Sequence, residues 1–474
     1  MMTNLEERLV QVVPSERQIK FQELEFYSFV HFTVNTYTGR EWGDGTEDPS
    51  IFNPVKFDAD QWVDAIDAAG MKGLIFTCKH HDGFCLWPSS YTEHTLANSP
   101  YKGGKGDIVA AVAEACKKRG IKFGVYLSPW DRNNESYGKG KEYDDYFVRQ
   151  LTELLTNYGD VFSVWFDGAC GEGRNGKKQS YDWGRYYQVI RDLQPGACIN
   201  ICGPDIRWCG NEAGDTRTSE WSVVPKRTKD TETIASNSQQ AEDDDFDFRA
   251  RKISASDQDL GSREMIKNEK DLIWYPAEVN TSIRPGWFYH EEEDDKVRSL
   301  EELLHIYFNS VGGNGTFLLN IPPTQEGLFH ENDVKRLTEI GDFLKAAFMD
   351  SLIADAKLTV DTFKIGHDIE QVRVKGYDGY FTTDDGVTTC SIGIHFEEEK
   401  NVNYIVLQEN IKCSQRVECF VVEVEKGGQY EEVFKGTVIG YKRIIVLSGV
   451  DTKGIRIRIL DSRVAPTLSF VGVW

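Results

Sequence analysis

The stretch DADQWVDAIDAAGMKGLIFTCKHH, residues 58–81, carries two structural periods in succession. Its first half repeats apolar residues at a spacing near 3.6 and closes on Gly70, the residue favoured just past a helix end. Its second half, GLIFTCKH, is a continuous apolar run with no alternation, as expected of a strand covered on both faces. The order helix then buried strand is the repeating unit of a parallel sheet.

The same unit recurs on both sides. Apolar runs occur at FYSFVHFTV (26–34), KFGVYLSP (122–129), VFSVWFDG (161–168), ACINICG (197–203), SEWSV (219–223), WYPAEVN (274–280) and TFLLNIPP (316–323). Helical spacing separates several of them, in DIVAAVAEACKKRG (107–120), EYDDYFVRQLTELLTNYG (142–159) and YDWGRYYQVIRDLQPG (181–196). Eight runs over the first two thirds of the chain fit a (β/α)8-like TIM barrel better than an open doubly wound sheet. No G-x-G-x-x-G follows the first run to favour a dinucleotide fold.

After HENDVKRLTEIGDFLKAAF (330–348) the period changes. Short alternating segments, DIEQVRVKGY (368–377), VNYIVLQEN (402–410), VECFVVEVEK (417–426), YKRIIVLSG (441–449) and KGIRIRIL (453–460), predict an antiparallel β-sandwich of jelly-roll type. The chain thus reads as an α/β barrel over residues 1–349 and a β-sandwich over residues 350–474. Between the sixth and seventh runs, residues 226–271 form a tract too polar for core, either a solvated insertion or a wall at the barrel mouth.

Composition excludes several functions. The 474 residues carry a net charge of -22, which repels phosphate backbones and anionic membranes, so nucleic acid is not an expected partner. No run is long enough to span a bilayer, and the N-terminus lacks the apolar centre of a signal peptide. A soluble protein is expected, cytoplasmic as the sequence stands and periplasmic or secreted if a leader has been removed. Oligomeric state is not legible. The ten cysteines lack the paired short spacings of a zinc site, and most are read as reduced core thiols.

Polar and aromatic residues gather where the runs stop: His31, then Lys79, His80, His81 and Asp82, then Tyr126 and Trp130, Trp165 and Asp167, Glu220 and Trp221. In a barrel these strand ends share one mouth, where the chemistry sits. A metal is not expected, because adjacent histidines on a strand point to opposite faces, and no cofactor motif is present. No G-x-S-x-G elbow supports acyl transfer. Carboxylate chemistry on a sugar remains: Asp167 follows two aromatic residues able to stack on a pyranose. A retaining glycosidase needs a second carboxyl about 5 Å away. By position Glu172, Glu212, Asp215 and Glu220 are all candidates, and spacing does not choose among them.

VHFTVNTYTGREWGDG, FTCKHHDGFCLWPSSYTEHTLANSPYKGGKGDIV, VYLSPWDRN, SVWFDGACGEG, DIRWCGNEAG and TSEWSVV together resemble the α-L-fucosidases of glycoside hydrolase family 29. The likeness is strongest to the branch acting on α-1,3 and α-1,4 linked fucose in branched, Lewis-type oligosaccharides. A trailing β-sandwich is usual in that family. The resemblance implies Asp167 as nucleophile and Glu212 as general acid/base. It further implies His31, Glu41, Trp42, His80, His81, Tyr126 and Trp165 as the fucose pocket, with Trp221 and Trp287 as walls near the leaving group. The expected partner is a fucosylated oligosaccharide or glycoconjugate. A broad-specificity fucosidase and a sugar-binding protein on an inactive scaffold are the alternatives.

Overall fold

The computed structural model describes residues 4–238 and 258–474. Eight parallel strands form the first sheet: β1 (Phe26–Val30), β2 (Gly73–Lys79), β3 (Lys122–Leu127), β4 (Ser163–Phe166), β5 (Cys198–Ile201), β6 (Arg207–Trp208), β7 (Ala277–Ser282) and β8 (Thr316–Asn320). They lie in the order β5-β4-β3-β2-β1-β8-β7-β6. A parallel bridge between Asn200 and Ile206 brings β6 back beside β5 and nearly closes the barrel. Helices α1 (Ala59–Ala68), α2 (Ile108–Arg119), α3 (Lys141–Asn157), α4 (Trp183–Leu193), α5 (Leu300–Ser310) and α6 (Glu331–Ala347) surround it.

Local chemistry sets these boundaries. Asp58, Asp107, Asp182 and Ser299 cap α1, α2, α4 and α5 by accepting from backbone N–H groups of the first turn. Gly70, Gly120 and Gly159 follow α1, α2 and α3 with φ of 77°, 73° and 82°, the left-handed region where a side chain would strain the exit. Gly341 lets α6 lie directly on α1: a Cβ there would stand 1.8 Å from the Ala68 carbonyl oxygen.

Within the barrel region two elements differ from the sequence reading. The sixth barrel strand is Arg207–Trp208, reached from β5 by the short loop Cys202–Asp205 with no helix between. SEWSV instead feeds Val223–Pro225, which pairs antiparallel with Leu272–Trp274 outside the barrel. A two-residue strand leaves too short an apolar run to stand out, whereas SEWSV is apolar because it packs between barrel and sandwich.

The second sheet contains β9 (Lys357–Val360), β10 (Cys390–Gln408), β11 (Val417–Lys426), β12 (Gln429–Gly436), β13 (Arg443–Ser462) and β14 (Phe470–Val473). All its pairings are antiparallel, in the order β9-β10-β13-β11-β12, with β14 on β10. YKRIIVLSG and KGIRIRIL are therefore one bent 20-residue strand, β13. DIEQVRVKGY contains a 3-10 turn at Ile369–Arg373 rather than a strand. A separate core runs from Ile353 to Val473. All ten cysteines are free thiols and seven are buried. Among the described residues no helix is long and apolar enough to cross a membrane.

Glu25 joins the two cores. Its buried carboxylate accepts from the Tyr441 hydroxyl at 2.7 Å, Lys442 Nζ at 2.7 Å and Lys375 Nζ at 3.3 Å. Burial alone would raise its pKa, but Lys442, Lys375 and Lys72 outweigh this and hold it well below the usual carboxylate range. A group so depressed stabilises the fold above its unfolded pKa, and that stability is lost as pH falls. Glu25→Gln is expected to cost about 3 kcal/mol at neutral pH, the low end for breaking a buried pair, because Lys375 stays half exposed. Denaturant unfolding at pH 7 and pH 4 checks it: the deficit shrinks at the lower pH.

Candidate active site

The strand ends of the barrel open on one pocket, about 540 Å³ of space partly continuous with solvent. Its lining includes Phe29 and His31 from β1 and its exit, His80 and His81 after β2, Trp165 and Asp167 at the end of β4, Trp208 and Glu212 from β6 and its loop, Asn280 from β7, and Trp287. Each side chain is placed by the backbone beneath it.

Asp167 sits one residue past β4. Its Oδ1 accepts from Ala169 N at 2.8 Å and its Oδ2 from the Tyr126 hydroxyl at 2.9 Å. Burial pushes its pKa up to about 6, against the pull of the Ala169, Tyr126 and Gly168 hydrogen bonds. The carboxylate is thus anionic at neutral pH yet poorly solvated, a state suited to attack.

The two histidines follow from where β2 stops. The strand ends at Lys79, so His80 and His81 lie beyond the pleat, and their rings approach to 4.1 Å on one side. The expectation that they face opposite ways is corrected, since alternation holds only within the pleat. Lys79 folds back into a buried pair with Asp131 at 2.8 Å, which fixes the turn. Ser128 Oγ donates to the Trp130 carbonyl at 2.6 Å, so its lone pair accepts from His81 Nδ1 at 2.7 Å. His81 then carries its proton on Nδ1. Burial, then Arg132, His31 and Lys79, lower its pKa to about 3, so it is neutral. Its Nε2 is left as an acceptor 3.7 Å from Asp167 Oδ2. Two adjacent acceptors call for a donor between them, such as a sugar hydroxyl. His80 is likewise held neutral by burial.

His31 is oriented from the opposite wall. Asn320 donates both amide hydrogens, to Ser282 Oγ at 3.0 Å and to the Trp287 carbonyl at 2.9 Å, so its Oδ1 accepts from His31 Nδ1 at 2.9 Å. Trp42 stands edge-on to His81, and Phe29 packs edge-on to Trp165 with centroids 4.9 Å apart. These rings offer apolar faces beside directed polar atoms, the lining of a sugar site.

Glu212 is carried by the loop after β6. Asn211 Oδ1 accepts from Ala213 N and Asp215 N, and its amide donates to the Asp215 carbonyl, folding the loop into a tight turn. Trp287 Nε1 donates to Glu212 Oε2 at 3.0 Å. Of the rival carboxylates, Glu220 is buried between Arg207 at 2.6 Å and Arg217 at 3.3 Å. Glu172 and Asp215 are not in the lining.

Of the other sequence candidates, Tyr126 reaches the pocket through Asp167. Glu41 lies behind the wall, accepting from Trp287 N at 2.8 Å and His290 Nε2 at 2.8 Å. Trp221 is placed elsewhere, buried with Val224, Tyr275 and Val438 under the Arg463 guanidinium, because its segment leaves the barrel. From the polar tract, Ser238 does line the pocket, and Ile266 is buried in core, so its described flanks are more than solvated chain. Residues 239–257 of that tract lie outside the described residues.

Sequence reasoning missed Glu278. Its buried side chain accepts from Trp165 Nε1 at 2.7 Å, Tyr27 Oη at 2.6 Å and Asn200 Nδ2 at 2.7 Å, supporting the pocket floor from below. Burial raises it to about 7. A lone acid within the run WYPAEVN was the available signal. Trp208, which donates to Asn280 Oδ1 at 3.0 Å, was also missed with the short strand that carries it. His80, His81 and Asp167 offer ligand atoms within 4.8 Å of one another, so their geometry alone admits a cation.

Residues 12–347 match the family described as Alpha-L-fucosidase. The chain belongs to the α-L-fucosidase family. It is 36% identical over 472 residues to Alpha-L-fucosidase 1 of Arabidopsis thaliana, covering 98% of this chain and 87% of that protein. It also superposes on a GH29 fucosidase of Ruminococcus gnavus in complex with fucose, with TM-score 0.83, 30% identity and coverage of 98% and 95% of the two chains. A glycoside hydrolase 29 family member from a rumen bacterium gives TM-score 0.79 and 37% identity, covering 98% of this chain and 77% of that one. This fucosidase is therefore a glycoside hydrolase of family 29 with a barrel and a trailing antiparallel domain.

Proposed function

We propose that this α-L-fucosidase is a retaining exo-enzyme that removes α-1,3 and α-1,4 linked fucose from branched oligosaccharides, with Asp167 as nucleophile and Glu212 as general acid/base. The observation that carries this reading is that one aromatic pocket contains both carboxylates in different surroundings. Asp167 is buried at the strand end and accepts from Ala169 N and the Tyr126 hydroxyl, whereas Glu212 comes from a loop on another wall and accepts from the Trp287 indole.

In the first step an Asp167 oxygen bonds the anomeric carbon while the glycosidic C–O bond breaks, and the Glu212 proton passes to the departing oxygen. The ester that forms has no negative charge, which eases ionisation of Glu212. In the second step Glu212 takes a proton from water, the water oxygen bonds the same carbon, and the ester opens to return the Asp167 carboxylate. Two inversions preserve the α configuration. His31, His80 and His81 serve as readers of the sugar hydroxyls, a role that needs no metal.

The reading is tested by incubating the enzyme with α-1,2, α-1,3, α-1,4 and α-1,6 fucosylated oligosaccharides, with and without chelator, and following the product by NMR. The expected result is α-fucose as the first-formed anomer, released preferentially from the branched α-1,3 and α-1,4 substrates and unaffected by chelator. β-Fucose as first product, preference for another linkage, or loss of activity to chelator would each overturn the corresponding part.

A further inference from the structure

The loop carrying Trp287 is wound around a carboxylate. Glu41 accepts from Trp287 N at 2.8 Å, from Phe288 N at 3.4 Å and from His290 Nε2 at 2.8 Å. Gly286 is required for this: a Cβ there would lie 2.7 Å from Glu41 Oε1 and 2.8 Å from His290 Cδ2. The same tryptophan passes the constraint onward, because its indole N–H donates to Glu212 Oε2 at 3.0 Å. His290 and Glu41 are only 14% and 13% exposed, so their contact is shielded and geometrically specific.

We propose that the His290–Glu41 contact is a clamp that sets the reach of Glu212 through Trp287, making His290 a positioning residue for departure of the leaving group. His290 itself is not in the pocket lining. The clamp fixes the backbone at Trp287, the Asn320 amide fixes the carbonyl of the same residue, and the ring packs on Phe29 and His31, which together aim the indole at Glu212. Glu41, implied by resemblance to line the fucose pocket, stands behind its wall and acts on the acid/base through Trp287 instead. The proposal rests on the reading of Glu212 given above.

A positioning role separates from a structural one by its dependence on the leaving group. His290→Phe keeps a ring but loses the donor; it is expected to lower kcat on a Lewis-type trisaccharide by roughly ten- to a hundredfold, the scale of a small misplacement of a reacting group. On an activated aryl fucoside, which needs little protonation, the loss is expected to be under about threefold, with KM little changed. His290→Gln, which retains an N–H donor, is expected to restore most of the trisaccharide rate. In a Glu212→Gln background His290→Phe is expected to add no further loss. Equal losses on both substrates, additive losses in the double variant, or no loss at all would overturn the clamp. Should His290→Phe fail to fold, His290→Asn, whose amide is too short to reach, serves the same comparison. If Glu212→Gln alone shows no leaving-group dependence, the acid/base reading fails first; if it does and the His290 variants do not, only the clamp falls.

Discussion

Exchange of Asp167 for alanine is expected to cut turnover of fucosides by roughly a thousandfold or more, because an alanine side chain cannot form the ester. The fold is expected to survive the change, since the side chain stands at a pocket wall and is partly exposed to solvent. Azide, small enough to occupy the vacated space, is expected to restore part of the rate and to yield β-fucosyl azide, attacking from the face that Asp167 served. A variant that kept its activity, or an α-azide product, would remove Asp167 from the role. The wild-type enzyme offers a companion readout. Protonated Asp167 cannot attack, so kcat/KM is expected to fall as pH drops below about 6. The sign for stability is opposite to that of a salt-bridged acid. Burial raises this carboxyl, so its ionised form weakens the fold above about pH 6, and the penalty vanishes below its unfolded pKa. Asp167→Asn is therefore expected to unfold at a higher temperature than the wild type at pH 8. The gain is about 1–2 kcal/mol, discounted because 21% of the side chain meets solvent.

Replacing Glu212 is expected to divide substrates by leaving group. Glu212→Ala should lose about a hundred- to ten-thousandfold on a Lewis-type trisaccharide, whose departing sugar hydroxyl must be protonated, and far less in the first step on an activated aryl fucoside. With the aryl substrate the covalent intermediate then accumulates, because no base remains to activate water, and a burst of phenol precedes slow turnover. Azide should relieve that block by attacking the fucosyl ester from the opposite face, giving the α-azide. The two azide products therefore distinguish the two carboxylates with one reagent. Uniform losses across leaving groups would show that Glu212 holds the pocket rather than moving a proton. Trp287→Phe is a useful comparison, since it removes the indole donor to Glu212 and trims the ring packed on Phe29 and His31 while leaving the carboxyl in place.

Much of the molecule could be read from the order of residues. Continuous apolar runs separated by glycine-terminated helical segments give a barrel because each run must be buried on both faces, and the change to alternation after residue 350 marks a sheet with one face covered. The convergence of His31, His80, His81, Trp165 and Asp167 follows from the same reasoning, as strand ends of a barrel share one mouth. Runs that are short or doubly used defeated it. Arg207–Trp208 is too brief to register as a strand, although it delivers both Trp208 and the Glu212 loop to the pocket. Trp221 looked like a strand-end residue, yet its apolar neighbours are buried against the sandwich.

The sequence by itself determined the layers, the helix ends and the position of Asp167 at the end of β4, because periodicity, glycine and capping chemistry act over a few residues. Only the tertiary structure showed that Glu212, alone of the four candidate carboxylates, lines the pocket beside Asp167, set the tautomers of His31 and His81, and revealed Glu278 beneath Trp165 and His290 behind Trp287. Those properties depend on contacts between residues tens to hundreds of positions apart, where burial and the direction of a hydrogen bond replace local pattern as the controlling physics.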